Sequence, residues 1–316
     1  MSPDPNTKGF VAVTDYKWFD FFRKRAKSGI RIDEVNFWRP SAKTAFHAIP
    51  SPAPFLFKLH SPYNKIAGFG FFVRYSILPI WLAWESFEHA NGSANLETLV
   101  QMIRSFNRSA TEKTEIGCLM VAEPLFFDEA EWIDPPSDWH SNIVQGKTYD
   151  LKHDREGQRI WEECVLRAQS RRAHVAEVLQ PGRARYAEAI LYKPRLGQGS
   201  FPIMVTEAYE RSCAVTTEHS LPVLEAAHIK PYAKEGEHSI TNGVLLRTDI
   251  HRLFDRGYVT ITPAYRFEVS DRLKHDFNNG RSYYSFDGHA IHLPGNPQHK
   301  PSRDLLKWHN ETVYLG

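Results

Sequence analysis

The stretch NGVLLRTDIHRLFD, Asn242 to Asp255, decides how this chain is read. A brief apolar run is followed by Ile250, Leu253 and Phe254 at helical spacing, with Thr248 or Asp249 as a cap and Gly257 as a stop. On such a helix His251 and Asp255 stand one turn apart on a shared face, while the three apolar residues can face a core. The helix thus offers two metal-binding groups side by side. The turn-rich segment before it, AKEGEHSITNG (233–243), carries the amide of Asn242. Further upstream, LEAAHIKPY (224–232) alternates as a short strand ending at Pro231. Glu225 and Ala227 fall on one side of it and His228 on the other.

At 316 residues the chain exceeds the usual size of a single core, which predicts two domains. A net charge of +2 neither demands nor excludes nucleic acid, so only a local patch can decide. Cys118, Cys164 and Cys213 are far apart and form no CxxC pair. That argues against a disulfide framework and against cysteine-held zinc. The start, MSPDPNTKGF, lacks a charged-then-apolar leader pattern, and a cytoplasmic location is expected. Arg74 and Pro79 interrupt the apolar run 66–84, which reads as a strand and a helix start, not as a membrane span.

Residues 15–28 place Trp18, Phe19 and Phe22 on one helical face. Aromatic or β-branched runs at 34–38, 53–60, 66–74 and 116–126 read as strands, with helices at 80–90 and 95–106 and a last strand within 142–151. A mixed β-barrel domain over 1–154 is expected, giving an α+β protein overall. Residues 155–179 have helical periodicity and read as a connector, with the linker QPGRARY (180–186) after it. The second domain, 187–316, should open with a short strand, AILYKPRL, and a glycine loop, GQGSF (197–201), with Ser200 capping the next helix. That loop matches neither GxxxxGK[ST] nor GxGxxG, so its glycines read as turn formers.

The run AHIKP (227–231), then Asn242, then His251 with Asp255 four residues on, resembles the HNH nucleases of the ββα-metal fold. The longer text, CAVTTEHSLPVLEAAHIKPY with NGVLLRTDIHRLFDRGYVTI, is similar to the HNH subfamily found in restriction endonucleases, and the resemblance covers 187–316. It implies that His228 is the general base, that Asn242 fixes the loop, and that His251 and Asp255 bind a divalent metal. The chemistry fits: an imidazole can take a water proton near neutral pH, and a cation can stabilise charge on the phosphate. Nitrogen and oxygen ligands suit Mg2+ or Mn2+, and equally Ni2+ or Co2+. One departure is Ala227, where many relatives carry a further Asp or His ligand; Glu225, two residues upstream, could replace it directly or through water. Arg247, Arg252, Arg256 and Lys230 could grip the phosphate backbone.

Phosphate contacts carry no sequence information, so selection should fall to the first half. Phrases such as IGCLMVAEPLFF and NIVQGKTYDL resemble PUA-superfamily domains, the group of SRA, EVE and ASCH modules. Fusions of such modules to HNH domains are similar to modification-dependent restriction enzymes. The resemblance implies double-stranded DNA carrying methyl- or hydroxymethylcytosine as the partner; one site per chain makes a homodimer the expected form for a double-strand cut, although no dedicated interface is visible in the sequence. A base turned out of the helix needs aromatic walls and polar groups at its edge. Asn36, Phe37, Trp38 and Arg39 in NFWRPS are the first candidates and Trp81 and Trp84 the second, with Lys58, Arg74 and Lys147 as backbone contacts. Two other readings stay open: an effector nuclease activated by a nucleotide or RNA ligand, and a non-catalytic reader with a degenerate nuclease domain, which Ala227 keeps alive.

Overall fold

A computed structural model describes residues 7–179, 199–231, 236–278 and 280–316, the side chains of 172–179 excepted. The expected strand AILYKPRL and the linker 180–186 lie outside the described residues. The chain divides into two units, Met1–Leu196 and Gly197–Gly316.

In the first unit the order is β1 (Lys8–Thr14), α1 (Tyr16–Lys27), β2 (Glu34–Arg39), β3 (Ala53–Leu59), β4 (Ile66–Pro79), α2 (Ile80–Phe87), α3 (Leu96–Arg104), β5 (Glu115–Phe126), β6 (Gly146–Asp150) and α4 (Arg155–Leu179). Six strands form one sheet in the order β2-β5-β4-β3-β1-β6. β1 runs parallel to β3, with Phe10 opposite Phe55, and the other pairs are antiparallel. All seven residues of β3 are buried, as a strand covered on both faces requires. Side chains alternate across it. Phe57 meets Trp18 of α1 on one face, with ring centroids 5.4 Å apart. Leu56 joins Val11, Phe69 and the α4 residues Ile160, Cys164 and Ala168 in a second cluster. Each such apolar side chain contributes about 1.5–3 kcal/mol on burial.

Here the expectation of a barrel is corrected. Among the described residues the sheet is open, with β2 and β6 as its edges. A barrel needs the two edge strands to pair with each other, and among the described residues β6 pairs with β1 alone and β2 with β5 alone. The connector helix, α4, lays its first half on this sheet. β1 was not foreseen at all. Among the described residues no helix is long and apolar enough to cross a membrane.

The second unit contains α5 (Ser200–Ala208), β7 (Leu224–His228), β8 (Gly243–Arg247), α6 (Thr248–Asp255), β9 (Val259–Ile261), β10 (Phe267–Val269), α7 (Arg272–Phe277), α8 (Arg281–Tyr284) and α9 (Arg303–Thr312). β7 and β8 pair antiparallel, Leu224 opposite Arg247 and His228 opposite Gly243. Gly199, not Ser200, occupies the N-cap of α5, and Ser200 is its buried first residue. Gly257, at φ +77°, ends α6 as anticipated. Phe201, Val205, Leu245, Ile250, Phe254 and Leu306 belong to one core. His309 of α9 is sealed into the same unit. It stacks on Phe254 at 3.8 Å, its Nε2–H donates to the Phe254 carbonyl at 3.1 Å, and its Nδ1 accepts from Thr260 at 2.8 Å. Burial pushes its pKa down to about 4, so it folds as a neutral ring.

Candidate active site

β7 delivers His228 at its last position, opposite Gly243 on β8. A Cβ at Gly243 would overlap Val205 Cγ2 and meet Phe201 Cζ at 3.0 Å. Its absence lets α5 lie close, and Phe201 stacks on the His228 ring at 3.7 Å and 13°. His228 Nε2 lies 3.1 Å from His238 Nδ1. Burial, with the charges of His238 and His251 adding to it, pushes the His228 pKa down to about 4. The ring is therefore neutral at neutral pH, with a lone pair available to accept a proton.

Asn242 ends the loop between the two strands and is 1% exposed. Its Oδ1 accepts from Lys230 N at 2.9 Å, and its Nδ2 donates to the carbonyls of Lys230 and Glu237 at 2.9 and 2.8 Å. One amide thus clamps both ends of the loop. Its polar atoms are spent on loop backbone, which makes it a positioning residue.

α6 presents His251 to two carboxylates. Nδ1 lies 2.7 Å from Glu225 Oε2 and Nε2 lies 3.4 Å from Asp255 Oδ2. With Nδ1–H donating to Glu225, the Nε2 lone pair and Asp255 Oδ2 face each other as two acceptors. Burial raises the Asp255 pKa, His251 opposes the rise and Glu225 adds to it. Two lone pairs at this spacing suit neighbouring ligands of one cation, since donors about 2.1 Å from an ion stand about 3 Å apart. The donor set fits a divalent ion held by His251 and Asp255. Glu225 meets the opposite ring nitrogen, Nδ1, and so contacts the imidazole on the side away from Asp255. Among the described residues no group of three His, Cys, Asp or Glu side chains converges as a ready-made metal cage.

Ala227 is fully buried, and its methyl group supplies no metal donor. Arg247, expected on the phosphate backbone, is tied to Asp249 by two bonds of 2.7 and 2.8 Å. Arg252 is exposed on α6 and makes no ion pair among the described residues. Lys230 lies over the Trp308 ring at 5.7 Å.

The first unit holds a cavity of about 380 Å³ walled by Trp18, Phe37, Trp38, Phe46 and Phe55. Its polar lining includes Asp15, Arg39, His60 and Gln145. Asp15 Oδ1 accepts from the first amides of α1, Lys17 N at 2.8 Å and Trp18 N at 3.1 Å. Its Oδ2 lies 3.6 Å from His60 Nε2, and His60 Nδ1–H donates to Ser61 O at 2.7 Å. Arg39 donates to Gln145 Oε1 at 2.7 Å. Three of the four residues singled out in NFWRPS line this space. Asn36 does not: it is fully buried and donates to Asn91 Oδ1 at 2.9 Å, and the Trp38 indole N–H donates to the carbonyl of the same Asn91 at 3.1 Å. Trp81 and Trp84 belong to α2 and do not line it. Of the three expected backbone contacts, Lys58 is 3% exposed and donates to Asn64, and Lys147 pairs with Asp138. Arg74 lines a wider groove of about 500 Å³ with Lys8 and His47, and Phe46 stands between groove and cavity. Sequence reasoning missed Asp15, His60 and His238. An N-cap Asp before an aromatic helix was the one signal that pointed to any of them.

Residues 213–262 match the HNH endonuclease family, so the chain carries an HNH endonuclease domain there and is an endonuclease. No curated protein matches the chain. A solved structure described as a modification dependent TagI restriction endonuclease is similar over 90% of this chain and 76% of its own, at 12% identity and a TM-score of 0.27.

Proposed function

We propose that this protein is a metal-dependent endonuclease that cleaves double-stranded DNA containing modified cytosine, as a modification-dependent restriction enzyme. The observation that carries the cleavage reading is the neutral, stacked His228 within the same HNH segment as the Glu225–His251–Asp255 row. His228 takes a proton from water as the new P–O bond forms and the bond to the leaving sugar oxygen breaks. His251 and Asp255 would hold a divalent cation such as Mg2+ or Mn2+, which would stabilise charge on the phosphate and the leaving oxygen. Glu225 keeps the His251 ring in one tautomer, and Asn242 keeps the loop beside His228 closed.

The first unit, with 1–154 as a PUA-like reader and α4 as its continuation, would receive the base in its aromatic cavity. Stacking rings hold any base by its faces, and a carboxylate such as Asp15 accepts from the exocyclic amine of cytosine. The neighbouring groove with Lys8, His47 and Arg74 would follow the phosphates. Two copies of the chain would serve a double-strand cut.

The test is cleavage of unmodified, methylated and hydroxymethylated plasmid with Mg2+ or Mn2+. Parent protein should cut the modified plasmids preferentially, and His228→Ala should bind them without cutting. Trp38→Ala should erase the preference while cutting continues. Equal cutting of all three plasmids by the parent would overturn the reader assignment, and an undiminished His228→Ala rate would overturn the base.

A further inference from the structure

His238 lies in the loop between β7 and β8, and it is the hydrogen-bond partner of the residue read as the base. Two imidazole nitrogens 3.1 Å apart can share only one proton, so one ring donates and the other accepts. If His238 Nδ1 holds that proton, the other nitrogen of neutral His228, Nδ1, must carry a hydrogen and cannot accept another. If His228 Nε2 holds it, Nδ1 keeps a lone pair. Nδ1 has no hydrogen-bond partner among the described residues.

We infer that His238 is a positioning residue for cleavage: it accepts from His228 Nε2–H and so leaves Nδ1 as the nitrogen that takes the water proton. The inference rests on the proposal that His228 is the base. When Nδ1 gains that proton, the water O–H bond breaks and an N–H bond forms. The Nε2–H···Nδ1 contact to His238 then becomes charge-assisted, which stabilises the imidazolium without moving a second proton. Two constraints hold the ring. Phe201 fixes its plane by stacking, and His238 fixes its rotation within that plane. His238 is itself placed by the Asn242 clamp, because the carbonyl that Asn242 Nδ2 holds at 2.8 Å belongs to Glu237, one residue before it. The ionisable groups bearing on His228 are His238 from the loop and His251 from α6, whereas α5 contributes only the Phe201 ring.

The experiment pairs kinetics with spectroscopy on the full chain. Single-turnover plasmid cleavage with Mn2+ should slow by about 10- to 100-fold in His238→Ala, the usual loss when a partner that orients an active-site ring is removed. His238→Gln, which still presents an acceptor oxygen, should recover most of that loss. In parallel, 15N-histidine NMR of the parent should show His228 as the Nε2–H tautomer, shifting toward a mixture in His238→Ala and back in His238→Gln. A parent ring protonated at Nδ1, an unslowed His238→Ala, or a Gln variant as slow as Ala would each overturn the inference. The tautomer is read without cleavage, so a parent that cuts no DNA would sink the proposed function and leave this hydrogen bond still tested.

Discussion

Exchanging the Asn242 amide for a carboxylate, Asn242→Asp, changes the site's chemistry while nearly preserving its shape. The side chain has one acceptor and two donor bonds, to Lys230 N, Lys230 O and Glu237 O at 2.9, 2.9 and 2.8 Å. Asn242→Ala would leave all three backbone groups without that partner. At about 1–3 kcal/mol for each unmet group the ceiling is about 3–9 kcal/mol, cut short where the loop detaches instead. The Asp variant keeps the first bond but turns lone pairs toward two carbonyl oxygens, so at pH 7 it should be less stable than Ala. Those carbonyls favour a protonated carboxyl, which raises its folded pKa above the unfolded value of about 3.9. The variant therefore binds extra protons when folded. Its stability is best below that folded value and is lost as pH rises through it. Urea midpoints of parent, Ala and Asp proteins from pH 4 to 8 measure this, because differences between variants cancel the titration common to all three. Hydrogen exchange at Ile229 and Lys230 should quicken in both variants. An Asp variant as stable as the parent at pH 7, or one whose deficit grows toward low pH, would refute the clamp.

His309 gives the domain an acid-sensitive core. Its folded pKa of about 4 lies below the ordinary value of about 6.5, so the unfolded chain binds more protons between them and stability falls as pH drops through that window. The loss is on the order of 3 kcal/mol, and His309→Gln should flatten the pH dependence of the urea midpoint. The two arginines of the 242–255 stretch should behave differently: Arg252→Ala should weaken DNA binding and reduce its salt slope by about 1. Arg247→Ala, which breaks the fork to Asp249, should lower the melting temperature with little change in that slope.

What could be read from the sequence was local in range. Strand alternation set His228 apart from Glu225 and Ala227, and helical spacing put His251 beside Asp255, because both signals lie within a few residues. His238 gave no such signal, since a turn-rich loop has no period and only the folded chain brings its ring to His228. Asp15 and His60 approach across the parallel pairing of β1 with β3, a long-range contact that neither strand encodes alone. Whether a sheet closes depends on its two edges meeting, and no single stretch specifies that. Arg247 looked like a phosphate ligand because its partner, Asp249, sits across a strand-to-helix joint where simple periodicity does not apply.

One missing methyl group has a wide reach. Because residue 243 brings nothing but a hydrogen to the interior side of its strand, a phenyl ring can bed down against the imidazole on the neighbouring strand. An alanine there would act as a wedge. It would lever α5 outward and loosen the imidazole proposed as the base, without altering any group proposed to meet DNA.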